Sequence, residues 1–209
     1  MHPLHDLFTN FGVQLFIIVD PLVAIPIFLS ITPHNTHAER RQMALRGCLV
    51  AFLVIVFFIL LGPFILGYFG IHTPAVQICG GILLFAIALE MLYGQPTKTV
   101  TSSHEENLAE AKEDISITPL AIPMLAGPGA ITTCLLFAKK TEDLAGYLIL
   151  IAAAAAVFAI TYLLLLRAKN LVQLVGGLGT TIITRIMGLV LAFIALQYAI
   201  DGVQTVFHL

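Results

Sequence analysis

The stretch Phe16-Ile17-Ile18-Val19-Asp20-Pro21-Leu22-Val23-Ala24-Ile25-Pro26 decides how the rest of the chain is read. It lies near the middle of a longer apolar run, Leu7–Ile31. An α-helix needs about 20 mostly apolar residues to cross a bilayer, so this run is predicted to span one. A carboxylate at mid-span costs roughly 2.5–3.5 kcal/mol on insertion scales, and Asp20 is therefore expected to face protein or water rather than lipid. Pro21 and Pro26 each remove a backbone donor and crowd the preceding turn. The residue before a proline is also pushed away from helical geometry. The span is thus predicted to break near Asp20, and the freed backbone groups are tolerable at that depth only beside protein or a wet cavity.

Working outward, five more apolar runs follow: Ala44–Phe69, Pro74–Tyr93, Ile117–Ala138, Leu144–Leu166 and Ile182–Phe207. They are too long for strands and lack period-2 alternation. The composition agrees. Of 209 residues, 59% are hydrophobic and 11% charged, against roughly 45–50% and about 25% in soluble domains. The expected fold is an all-α membrane protein with six transmembrane helices. The 1–209 chain reads as one transmembrane domain: repeat one over 7–93, a polar cytoplasmic loop over 94–116, and repeat two over 117–209. That loop carries Glu105, Glu106, Glu110, Glu113 and Asp114 against Lys98 and Lys112.

Basic residues set the orientation. With the N-terminus outside, the cytoplasmic segments hold Arg40, Arg41, Arg46, Lys98, Lys112, Arg167, Lys169 and Arg185, and the outer segments hold Lys139 and Lys140. Both termini are expected outside, which in a bacterium means periplasmic. The N-terminus Met1-His2-Pro3-Leu4-His5-Asp6 has no basic region or small-residue cleavage site, so the first run is expected to stay in the protein.

The two halves look alike. Pro21-Leu22-Val23-Ala24-Ile25-Pro26 has a counterpart in Pro123-Met124-Leu125-Ala126-Gly127-Pro128, 102 residues on. The segment from Gly81 to Glu90 matches the one from Gly188 to Gln197, 107 residues on. Three spans per half give the second half the opposite orientation, the inverted repeat of many secondary transporters.

Span 4 repeats the interruption of span 1. Pro119, Pro123 and Gly127-Pro128-Gly129 fall within eleven residues, and glycines on both sides of a proline favour an unwound stretch. Thr132 and Thr133 are placed to cap a second half-helix or face a cavity. A half-helix that starts inside the membrane offers free N–H groups and a positive dipole end, suited to a carboxylate. The expected substrate site therefore comprises Asp20, Pro21, Val23, Ala24 and Pro26 from span 1 with Gly127, Pro128, Gly129, Thr132 and Thr133 from span 4. Gly80, Gly81 and Gly188 are read as helix-packing or cavity-lining positions. Glu90, Asp201, Arg46 and Arg185 lie toward helix ends and are not assigned a coupling role.

Cys48, Cys79 and Cys134 sit inside apolar runs, odd in number and far apart, and read as small core residues. The seven histidines fall outside the apolar runs, in loops or at the termini, and no metal site is expected. No Gly-x-Ser-x-Gly, His-Glu-x-x-His or Walker glycine loop occurs, so neither enzyme chemistry nor a cofactor is expected. The net charge of −2 favours no nucleic-acid partner.

Asp20-Pro21-Leu22-Val23-Ala24-Ile25-Pro26-Ile27-Phe28, Gly80-Gly81-Ile82-Leu83-Leu84-Phe85 and the segment Pro119 to Gly129 resemble the MarC family of bacterial inner-membrane proteins. Arg185-Ile186-Met187-Gly188-Leu189 and Asp201-Gly202 fit its last span. The resemblance implies a six-span protein, some of whose relatives carry small neutral amino acids such as glycine and alanine. Members often have glycine where this chain has Val23, and a β-branched residue there is expected to narrow the pocket or to reduce local unwinding. The functional expectation is a secondary transporter of a small neutral amino acid, working by alternating access in the bilayer. Proton coupling through Asp20 and assembly into a homo-oligomer are left open. The rival readings are an exporter of amino acids or drugs and a membrane scaffold or sensor without transport.

Overall fold

The computed structural model describes residues 3–33, 35–94, 125–141 and 143–207. Almost all of the polar loop 94–116 and the opening of span 4, Pro119 and Pro123 included, lie outside the described residues. Among those described, the chain is helical and contains no strand. Seven helices follow in order: α1 (Pro3–Val19), α2 (Pro21–Ile31), α3 (His37–Tyr68), α4 (Thr73–Tyr93), α5 (Pro128–Lys139), α6 (Leu144–Leu166) and α7 (Ala168–Phe207). Among the described residues, five stretches are long and apolar enough to cross a bilayer: Leu4–Ile31, His37–Tyr68, Thr73–Tyr93, Leu144–Leu166 and Ala168–Phe207. At 1.5 Å per residue the 12-residue α5 reaches only about 18 Å, too short to cross alone.

α3 and α7 begin well before the apolar pattern predicts. α3 starts at His37, seven residues before Ala44, because Thr36 and Glu39 form a reciprocal capping box. The Thr36 hydroxyl accepts from Glu39 N, and Thr36 N donates to the Glu39 carboxylate at 2.7 Å. α7 starts at Ala168 rather than Ile182, and the intervening Gly-rich stretch is helical except at Gly176. There φ is 69° and ψ 170°, a conformation that only glycine adopts readily. His5 and His37 accordingly lie within helices, not loops.

The interior divides into two apolar clusters. The larger gathers Phe11, Leu15, Phe28, Ile55, Ile59, Leu150 and Phe158 from α1, α2, α3 and α6, with Cys134 of α5. The second joins α4 and α7 through Leu84, Ala88, Leu191 and Ala195. Cys48 and Cys134 are buried, but Cys79 is exposed and the core expectation fails for it. It lies beside Gly80 and Gly81, whose side of α4 is buried. A helix surrounded by lipid can be apolar all round, so composition did not reveal that face.

α4 and α7 run antiparallel with their backbones close together. A Cβ added to Gly81 would stand 2.6 Å from the Ala195 carbonyl oxygen and 3.0 Å from Ala199 N. One added to Gly188 would stand 3.1 Å from the Ala88 carbonyl oxygen and 3.3 Å from Leu92 N. Gly202 fits against the Pro74 carbonyl in the same seam. These are the close approaches that small residues permit between membrane helices. Elsewhere α1 packs on α6 and α5 on α3, while α5 packs on α4 and α2 on α7.

Candidate functional site

Asp20 separates α1 from α2 and is the only non-glycine residue with positive φ among those described (φ 45°, ψ 67°). Pro21 disfavours right-handed helical geometry at the residue before it, and aspartate is among the few side chains that enter the left-handed region readily. The interruption is one residue long. Asp20 N still donates to Phe16 O at 3.0 Å, and Ala24 N donates to Asp20 O at 3.1 Å. The Asp20 carboxylate caps α2, with Oδ1 accepting from Val23 N at 3.3 Å. Its other oxygen, Oδ2, is buried and has no hydrogen-bond partner among the described residues. Leaving a buried charged acceptor unmet is costly, so this atom is poised for a donor.

α5 begins differently. Gly127 is its N-cap in extended geometry, Pro128 occupies the first helical position, and the N-cap glycine has no side chain with which to cap the helix. Thr132 and Thr133 do not cap it either. The first-turn N–H groups of a helix have no intrahelical acceptor, which leaves the amides of Gly129 and Ala130 at a positive dipole end.

A cavity of about 60 Å³ lies between these two helix starts. Asp20, Val23, Ala24 and Ile27 line it from span 1, and Gly127, Gly129 and Ala130 from span 4. Leu84, Ile87 and Met91 of α4 and Leu191 of α7 supply further apolar wall. Among the described residues, Asp20 is the single ionisable side chain in the lining. Gly129 is needed for the space itself: a Cβ there would collide with the Leu84 side chain and stand 3.1 Å from Ile18 Cγ2.

Of the ten expected site residues, Asp20, Val23, Ala24, Gly127 and Gly129 meet at this cavity, and five do not line it. Pro21 is buried and Pro128 exposed. Pro26 lines a separate apolar pocket with Leu171, Val172 and Val175 of α7. Thr132 packs where a side chain on Gly80 would be. Thr133 hydrogen-bonds Gly129 O at 3.0 Å and lies 3.3 Å from the Tyr198 hydroxyl.

That tyrosine was not singled out in the sequence. Its hydroxyl donates to Gln14 Oε1 at 2.8 Å, so Gln14, Tyr198 and Thr133 tie α1, α7 and α5 together through polar contacts inside the bundle. A Gln in span 1 and a Tyr in span 6 were the available signals, but nothing in the sequence pairs residues 184 positions apart.

Comparison with known proteins places the chain. Residues 5–207 match the family described as MarC family integral membrane protein. A UPF0056 membrane protein of Methanocaldococcus jannaschii is 37% identical over 193 residues, covering 91% of this chain and 93% of the relative. The UPF0056 inner membrane protein YhgN of Escherichia coli is 34% identical, covering 92% and 94% respectively. A UPF0056 membrane protein of Aquifex aeolicus is 33% identical over 198 residues, covering 95% and 92%. No solved structure matches. A match over nearly the whole length, carried by the same helices that enclose the Asp20 cavity, makes this chain a member of the MarC family of integral membrane proteins.

Proposed function

We propose that the protein is a secondary transporter of small neutral amino acids of the glycine and alanine class, binding them between the starts of α2 and α5. One observation carries this reading: among the described residues, one small cavity is bordered by an Asp20 oxygen without a partner and by the beginning of α5, whose N-cap glycine has no side chain. An amino acid zwitterion matches both. Its ammonium donates to Asp20 Oδ2, and its carboxylate accepts from the first-turn amides of α5. Size agrees as well. A water needs roughly 10–15 Å³ of such space, so about 60 Å³ accepts on the order of five heavy atoms. Val23 in the wall supports the expected narrow pocket.

The helix arrangement supports two inverted halves with interrupted first spans. Moving 107 residues along the chain converts the Gly81 contacts with Ala195 O and Ala199 N into the Gly188 contacts with Ala88 O and Leu92 N. Two further pairings exchange in the same way, α4 on α5 with α7 on α2, and α3 on α5 with α6 on α2. In this reading the halves rock about the fixed site, Lys139 and Lys140 lie outside, and both termini are periplasmic. The protein acts as a carrier, not an enzyme. A scaffold without transport would have no use for a cavity edged by an unmet carboxylate.

The test is uptake of labelled glycine and alanine into liposomes holding the purified protein, with and without a proton gradient. Saturable uptake, competed by other small neutral amino acids, is the expected result. Its absence in folded, correctly reconstituted protein overturns the reading, and dependence on the gradient decides proton coupling.

A further inference from the structure

A second cavity, of about 230 Å³, opens at the far end of the bundle from Lys139 and Lys140, where α2 and α6 end and α3 and α7 begin. His37, Arg40 and Arg41 of α3 and Lys169 of α7 line it. The geometry points to a binding site for the phosphate headgroup of an anionic phospholipid. This inference concerns a surface remote from the Asp20 cavity and does not depend on what that cavity carries.

The charge balance comes first. Among the described residues no carboxylate pairs with any of these four side chains. Arg40 is spent locally: its Nε and Nη2 donate to Thr32 O at 3.0 and 2.6 Å, and Nη2 also reaches Pro33 O at 3.2 Å, satisfying the carbonyls at the end of α2. These are bonds to neutral groups, so no carboxylate among the described residues compensates the guanidinium charge. Arg41 makes one long contact, 3.4 Å to the Tyr162 hydroxyl, and Lys169 is exposed. Cations converging from two helices, with no acid beside them among the described residues, invite an anion.

The rest of the lining selects the source of that anion. Phe28, Leu29, Leu165 and Leu166 form its apolar side, and Leu166 is 40% exposed on the outer face of the bundle. A free phosphate would gain nothing from this wall, whereas a phospholipid places its headgroup among the cations and its acyl chain along the accessible Leu29 and Leu166. Basic pockets between transmembrane helices on the cytoplasmic side are suited to anionic headgroups.

The experiment uses the purified full-length chain in mild detergent, with thermal unfolding followed against added phosphatidylglycerol, phosphatidylcholine or glycerol phosphate. Phosphatidylglycerol is expected to stabilise the protein saturably, phosphatidylcholine and glycerol phosphate not. In the double variant Arg41→Gln/Lys169→Gln the half-saturating phosphatidylglycerol concentration should rise at least tenfold. In the control Lys139→Gln/Lys140→Gln it should stay within twofold. Lys169→Gln alone, on an exposed side chain, should raise it at least threefold and serves if the double variant does not fold. Equal losses in both double variants, or none in the first, would overturn the site. Stabilisation by glycerol phosphate as strong as by the lipid would overturn the lipid assignment in favour of a soluble anion.

Discussion

The starts of α2 and α5 are built from the same materials and finished differently. Each opens with a proline at the first helical position, and the residues around both line one cavity. α2 carries its own anion, the Asp20 carboxylate, held on Val23 N by a left-handed turn. α5 carries none, and its N-cap is a glycine without a side chain. The lesson is that two helix ends of like polarity become complementary when only one is capped by a charge. In the proposed reading the capped end presents spare negative charge and the open end spare N–H groups, so a molecule with both charges fits where a simple anion or cation does not.

The contrast can be broken first at Asp20. In Asp20→Asn the amide oxygen retains the cap on Val23 while the charge disappears. A charge-assisted hydrogen bond is worth about 1.5–3 kcal/mol, so uptake at low substrate is expected to fall roughly 10- to 100-fold. Thermal unfolding should show the fold retained; unchanged uptake would remove Asp20 from the site. Gly129→Ala attacks the space rather than the charge. Its methyl collides with Leu84, and overpacking of this kind costs typically about 1–3 kcal/mol. Alanine uptake should be lost before glycine uptake, a split that competition assays read directly.

Gly127→Ser tests the open end by giving α5 the side-chain acceptor it lacks. Serine and glycine differ as N-caps by only a few tenths of a kcal/mol, so stability should barely move. The substrate carboxylate must now compete with the hydroxyl, and KM is expected to rise several-fold, with about tenfold, or 1.4 kcal/mol, as the upper range. A fall in KM would refute the role given to those amides. Tyr198→Phe has the smallest expected effect. It removes the bonds that join Gln14, just before one helix start, to Thr133, just after the other. Polar contacts between membrane helices average about 0.6 kcal/mol, and a modest loss of thermal stability with transport retained is the outcome to look for.

The sequence revealed what rests on depth and backbone chemistry. A carboxylate in the middle of an apolar run followed by proline located Asp20, and the Gly-Pro-Gly triplet located the start of α5, because each alters the main chain in place. Side-chain direction was less legible. Thr132 and Thr133 follow the break immediately, yet they point at Gly80 and Tyr198, since helical rotation rather than proximity in sequence decides what a residue faces. Pro26 fails for the same reason, lying against α7 instead of the cavity. The early start of α3 was readable, since Thr36-His37-Ala38-Glu39 has the spacing of a capping box. The helical turns around Gly176 were hidden because three glycines within four residues look like a loop.

The seam between α4 and α7 reaches beyond mechanism. Each helix offers a glycine to the other's main chain, and the two contacts are interchangeable under one fixed shift in residue number. A surface that is its own complement when turned over can join two separate molecules as well as two halves of one. A three-helix polypeptide that inserted into the membrane in both directions would pair with itself through such a seam. Gene duplication and fusion would then preserve the joint while freeing the two sides to diverge, one toward aspartate and the other toward glycine.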